Sequence, residues 1–134
     1  MNIREAEKRT GLPSKTLRYY EDIGLVRPAR LANGYRSYSD DEVARLKFVR
    51  RARDLGFPID ECRSLLALWD DRSRASADVK VIASAHLEAV EDKLKELNSL
   101  RDTLAQLVDA CAGSDSPECP ILRDLAGAED PLRT

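Results

Sequence analysis

No stretch of the chain approaches the ~20 apolar residues that a membrane-spanning helix needs, and Met1-Asn2-Ile3-Arg4-Glu5 lacks the apolar core of a secretory signal. The expected setting is the cytosol, with no membrane partner. Aromatic residues make up only 5% of the sequence, which tilts the expectation from a β-sandwich towards helices. There is one histidine, His86, and there are three cysteines, Cys62, Cys111 and Cys119. So small and odd a set in a reducing compartment argues against a disulfide framework; a pair of them more plausibly binds metal or senses redox state. No pairing of nucleophile with base and no carboxylate constellation is visible, so nothing supports an enzyme.

At 134 residues the chain can bury one modest core, or a small head plus an extended element that needs a partner. Neither charge sign dominates overall, the formal net charge being −2, but the charges are unevenly placed. Residues 1–75 carry 16 Lys+Arg against 12 Asp+Glu, whereas residues 76–134 carry 6 against 12. A mildly basic head with an acidic tail suits a protein that touches phosphate with one end.

Ile3 to Thr10 reads as a short helix broken by Gly11-Leu12, and a second helix follows, with Ser14 as a good N-cap residue and an end at Gly24. Two short helices about a glycine turn make a helix-turn-helix outline. Between Arg27 and Tyr38 the Asn33-Gly34 turn signal joins two short extendable arms, which predicts a hairpin, the wing. Ser39-Asp40-Asp41-Glu42 then opens a third helix as a capping box, with Val43, Leu46, Val49 and Ala52 as its apolar stripe. A fourth helix runs from Ile59 or Asp60 to Trp69, and Trp69 is placed at the junction of head and tail.

From Ser76 to about Ala110 there is neither proline nor glycine for 35 residues, too long for an ordinary globular helix. Alternating steps of three and four connect Ser76, Lys80, Ala83, Leu87, Val90, Leu94, Leu97, Arg101, Leu104, Val108 and Cys111 into a heptad seam with polar interruptions. A head of this size is too small to cover a helix of about 50 Å, so a second copy of the chain is expected on the seam. An antiparallel pair would bring Ser76 of one chain near Cys111 of the other. Gly113, Pro117 and Pro120 mark a loop, followed by a short helix from Pro120 to Leu125 and a polar, frayed tail.

The expected fold is therefore mainly α: a winged helix-turn-helix head over 1–75, a long antiparallel coiled-coil dimerisation helix over 76–110, and over 111–134 a cysteine loop, short helix and flexible tail. The second helix offers Lys15, Arg18 and Tyr19 on an outward face, the wing offers Arg30, Tyr35 and Arg36, and the third helix adds Arg50, Arg51 and Arg53. Basic residues interleaved with tyrosines suit phosphate positioning and groove contact. Singly, each reads equally well as an ordinary solvated charge.

The strings Thr10-Gly11-Leu12, Leu17-Arg18-Tyr19-Tyr20-Glu21, Gly24-Leu25-Val26, Asn33-Gly34-Tyr35-Arg36 and Arg53-Asp54-Leu55-Gly56-Phe57 resemble the MerR family of transcriptional regulators. Ala75-Ser76-Ala77-Asp78-Val79-Lys80, with Cys111 and Cys119-Pro120-Ile121, resembles its copper-efflux-regulator branch. The resemblance implies a homodimer on promoter DNA, with Lys15, Arg18, Tyr19, Arg30, Tyr35, Arg36 and Arg53 as DNA contacts and Cys111 and Cys119 as metal ligands. It further implies that metal binding distorts an overlong promoter so that RNA polymerase can use it, switching on copper export and detoxification genes. The wing is slightly shorter than the family's pattern, and residues 127–134 lack the Cys- and His-rich ending of some relatives.

Thiolates are soft ligands suited to monovalent copper, and equally to silver or gold, whereas zinc usually takes four ligands and this loop offers two sulfurs without a histidine. The residual negative charge would sit at Cys119, just ahead of Pro120 and the short helix, whose N-terminal N–H groups favour it. A cysteine at position 76 would add a third sulfur from the partner chain, as the divalent-metal members are thought to use, so Ser76 points to a monovalent ion. Ser76 also reads as an N-cap of the long helix. Cys62 is read as packing, and His86 as a solvated residue at the edge of the seam. Two rivals stay open: a thiol redox sensor in which Cys111 and Cys119 form a disulfide, and a copper carrier, which would have no use for a winged head.

Overall fold

The computed structural model describes residues 1–127; the expectation of a frayed tail falls largely on residues 128–134, outside the described residues. The chain forms two compact units, Met1–Ser84 and Ala85–Thr134. The first holds α1 (Ile3–Thr10), α2 (Ser14–Asp22), β1 (Ala29–Arg30), β2 (Arg36–Ser37), α3 (Asp40–Asp54), α4 (Ile59–Asp70) and the start of α5 (Ser76–Ala110). The second holds the rest of α5 and α6 (Pro120–Leu125).

Local chemistry sets these boundaries. Asn2 Oδ1 accepts the Glu5 N–H at 2.9 Å to open α1, and Gly11, at φ +72°, closes it by donating its N–H to Glu7 O. The capping box at α3 is present in both directions: the Glu42 N–H donates to Ser39 Oγ (3.2 Å) and the Ser39 N–H to Glu42 Oε2 (2.7 Å). Ser14, by contrast, is not the N-cap of α2; that position belongs to Pro13, which has no side-chain acceptor, and Ser14 is the first helical residue. Ser76 likewise begins α5 from inside the helix.

Ala6, Leu17, Tyr20, Val43, Leu46, Val49 and Leu66 fill the core of the first unit, joined by Leu25, Val26 and Tyr38 from the connections. Cys62 is buried in the same core, as the packing reading requires. The wing is an antiparallel pair of two-residue strands in which Ala29 faces Ser37 and Arg30 faces Arg36. Its loop is a three-residue one, closed by Leu31 N–H to Tyr35 O (2.8 Å) and turned by Gly34 at φ +85°. Trp69 stacks on Phe48 with ring centroids 4.7 Å apart and is 41% exposed, so it borders the start of α5 without sealing it off.

Candidate functional site

On α2, burial of Leu17 and Tyr20 turns Lys15, Arg18 and Tyr19 outward, and all three are exposed. Tyr35 on the wing is 70% exposed. Between α1, α2 and the wing lies an open cleft of about 610 Å³, lined by Ile3, Arg4, Arg18, Leu31, Tyr35 and Arg36. Sequence reasoning passed over Arg4, although it lies one position from the apolar stripe of α1.

Glu21, at the end of α2, sits among these cations. Its Oε1 accepts from Arg30 Nη2 (3.0 Å) and its Oε2 from Arg36 Nε, so one carboxylate grips both wing arginines. The hydrogen bond it donates to Glu21 holds the Arg36 guanidinium above its ordinary pKa. Arg30 Nη1 continues to Gly34 O at the wing tip (3.1 Å). The wing's exit is fixed by reciprocal bonds, Met1 N to Tyr38 O and Tyr38 N to Met1 O, both 2.7 Å. The sequence signal for Glu21 is an acid one helical turn beyond Arg18 on a basic face.

Other arginines cap helix ends. Arg50 Nη1 donates to Thr10 O at the end of α1 (2.7 Å), Arg63 Nη2 to Ile23 O after α2, and Arg74 Nη1 to Trp69 O in the last turn of α4 (3.0 Å). Arg53, expected on DNA, donates through Nη1 to Phe57 O (2.9 Å) just beyond α3. Arg51 lines an apolar groove with Phe48, Leu55 and Trp69.

In the second unit Cys111 directly follows α5, its N–H bonding to Leu107 O and Val108 O (both 3.2 Å). The loop then folds on local serine turns, Ser116 N–H to Ser114 Oγ and Glu118 N–H to Ser116 Oγ (both 3.3 Å). Cys119 is the N-cap of α6, with Pro120 in the first turn and its own carbonyl accepting the Arg123 N–H (3.1 Å). Leu107, Pro120, Arg123 and Gly127 border one groove, so α6 returns beside the last turns of α5. Both thiols are half-buried and neither forms a disulfide.

The thiols of Cys111 and Cys119 flank one seven-residue loop and are donors of the soft type that suits an ion of low coordination number. Among the described residues no group of three or more His, Cys, Asp or Glu side chains gathers in one chain. Cys62 stands apart from this chemistry: its thiol donates to Phe57 O (3.6 Å), and burial pushes its pKa up. His86 is half-buried on α5. Along α5 the seam residues Leu87, Val90, Leu94, Leu97, Leu104 and Val108 are all exposed in the single chain, as is Leu100 beside them.

Two family descriptions match, MerR HTH family regulatory protein over residues 1–68 and MerR, DNA binding over residues 43–107. The chain is 57% identical to the HTH-type transcriptional regulator HmrR of Rhizobium leguminosarum bv. viciae, covering 94% of this chain and 98% of that one. It is 44% identical to the HTH-type transcriptional regulator CueR of Yersinia pestis, over 95% of this chain and 92% of that one. Among solved structures it resembles the transcription regulator PbrR691 from Ralstonia metallidurans CH34 in complex with lead(II). That match has a TM-score of 0.81 and 36% identity, over 93% of this chain and 98% of that one.

Proposed function

The chain belongs to the MerR family of helix-turn-helix transcriptional regulators, which are not enzymes, and on that premise we propose that it is a cytoplasmic, metal-responsive activator switched by a monovalent soft ion. Copper(I) is the ion proposed first, with silver(I) and gold(I) as chemical equivalents. The observation that carries the reading is the pair of half-buried thiols, Cys111 and Cys119, closing one loop at the end of the long helix.

In this reading Lys15, Arg18 and Tyr19 enter the groove while Tyr35, Arg36 and Arg53 hold the backbone. The exposed apolar seam of α5 supports a homodimer, in which an antiparallel arrangement sets the partner's Ser76 beside the cysteine loop. Cys111 and Cys119 would hold the ion. When bound, it supplies two metal–sulfur bonds that tie the end of α5 to the start of α6. RNA polymerase would respond to the promoter's altered shape, the chain making no new base contacts.

The test is in vitro transcription from a promoter fragment recovered by the protein, using fully reduced protein and RNA polymerase. Copper(I), silver(I) or gold(I) should raise transcription under strong reductant. The Cys111→Ser, Cys119→Ser double variant should bind the same DNA without responding. Activation by oxidant alone would replace this reading with the disulfide sensor.

A further inference from the structure

We infer that Glu21 is a positioning residue that locks the wing to the second helix and thereby sets the balance between sequence-selective and indiscriminate DNA binding. The inference rests on the DNA-interface reading above. Each wing strand has only two residues, and so short a ladder cannot hold an orientation by itself. Among the described residues, the side-chain hydrogen bonds that tie the wing strands to α2 converge on Glu21: Oε1 accepts from Arg30 on β1 and Oε2 from Arg36 on β2.

The two arginines are held differently. Arg30 commits both terminal nitrogens inside the protein, Nη1 to Gly34 O and Nη2 to Glu21, and so braces the wing from helix to tip. Arg36 is held through Nε, which leaves its terminal nitrogens for a phosphate. The carboxylate, only 18% exposed, thus holds both guanidiniums directly, one through each oxygen.

Electrostatics gives the inference its sign. A carboxylate amid a phosphate-facing surface repels DNA and cancels one of the two guanidinium charges, so on charge alone it weakens binding to any sequence. A residue that merely kept the domain folded would, on removal, weaken selective and indiscriminate binding together. A clamp that trades raw attraction for fixed geometry would, on removal, move them in opposite directions.

The experiment compares the full-length wild type with Glu21→Gln on two duplexes, one selected by the wild type from a random pool and one with the same composition scrambled. The variant should bind the scrambled duplex several-fold more tightly, with a salt dependence steeper by roughly one counterion. Its preference for the selected duplex should fall about tenfold or more. Alongside, the Arg36 Nε–H proton signal, shifted by its bond to the carboxylate in the wild type, should move to the position of a solvated arginine. A parallel loss on both duplexes, or no change on either, overturns the inference. A wild type that selects no duplex overturns the DNA-interface reading itself, and the inference with it.

Discussion

Arg50 reaches across from α3 and donates Nη1 to the carbonyl of Thr10 at 2.7 Å, lying where a β-carbon on Gly11 would stand. The two residues are therefore coupled: Gly11 takes φ +72° to end α1, and its bare Cα leaves room for the guanidinium that satisfies the last carbonyl of that helix.

Gly11→Ala should accordingly destabilise the protein by about 2–4 kcal/mol, combining left-handed strain with a displaced charged hydrogen bond. Arg50→Gln should cost about 1.5–3 kcal/mol while leaving the salt dependence of DNA binding close to that of the wild type. Urea unfolding at fixed protein concentration, paired with binding at several salt concentrations, checks both. A stable Arg50→Gln variant with a shallower salt slope would make Arg50 a DNA contact instead.

Alkaline pH should expose the buried acids. Burial raises Cys62 above the ordinary thiol value of 9.0, and Tyr20 and Tyr38 above the phenol value of 10.0. Each folded-state pKa thus exceeds its unfolded value, so the stability these groups contribute is intact below the unfolded pKa and is lost as pH rises through the folded one. The urea midpoint should begin to fall above pH 9.0 and fall further beyond 10.0. Cys62→Ala, which removes a fully buried sulfur at a cost of about 1–2 kcal/mol, should remove the earlier part of that decline. An identical pH profile in the variant would show that Cys62 does not ionise on unfolding.

These predictions turn on features of unequal legibility. Helix limits were readable where the signal is local: the Ser39 cap, the Gly11 stop and the proline at the start of α6 each act within a few residues, whereas the Asn2 cap of α1 emerges only in the structure. Ser14 misled because an N-cap serine and a first-turn serine differ by one residue, and Pro13 already supplies the extended backbone that the cap position needs. The loop between Cys111 and Cys119 was legible from the glycine and prolines around it, while the pair's role as ligands came from the family resemblance. The roles of the arginines were not, because a basic residue on an exposed helix face looks the same whether it meets phosphate or a carbonyl 40 positions away, as Arg50 and Arg63 do. Glu21 was hidden for the same reason, its partner Arg36 lying 15 residues along the chain.

The identity of residue 76 should tune the metal response. If the partner's Ser76 lies beside the cysteine loop, Ser76→Cys adds a third thiolate there, and the variant should gain a transcriptional response to lead(II) or mercury(II) that the wild type lacks. Transcription assays with these ions measure this directly. An unchanged spectrum of response would remove position 76 from the site.

The central claim is tested most directly by anaerobic titration of the reduced protein with copper(I) against a chromophoric competitor, followed by X-ray absorption on the loaded sample. The account predicts one tightly held ion per chain, coordinated by sulfur alone through Cys111 and Cys119, with tight binding lost in either single serine variant and preserved in Cys62→Ala. Tight binding that survives in the Cys111→Ser, Cys119→Ser double variant, or that needs Cys62 or His86, would contradict it.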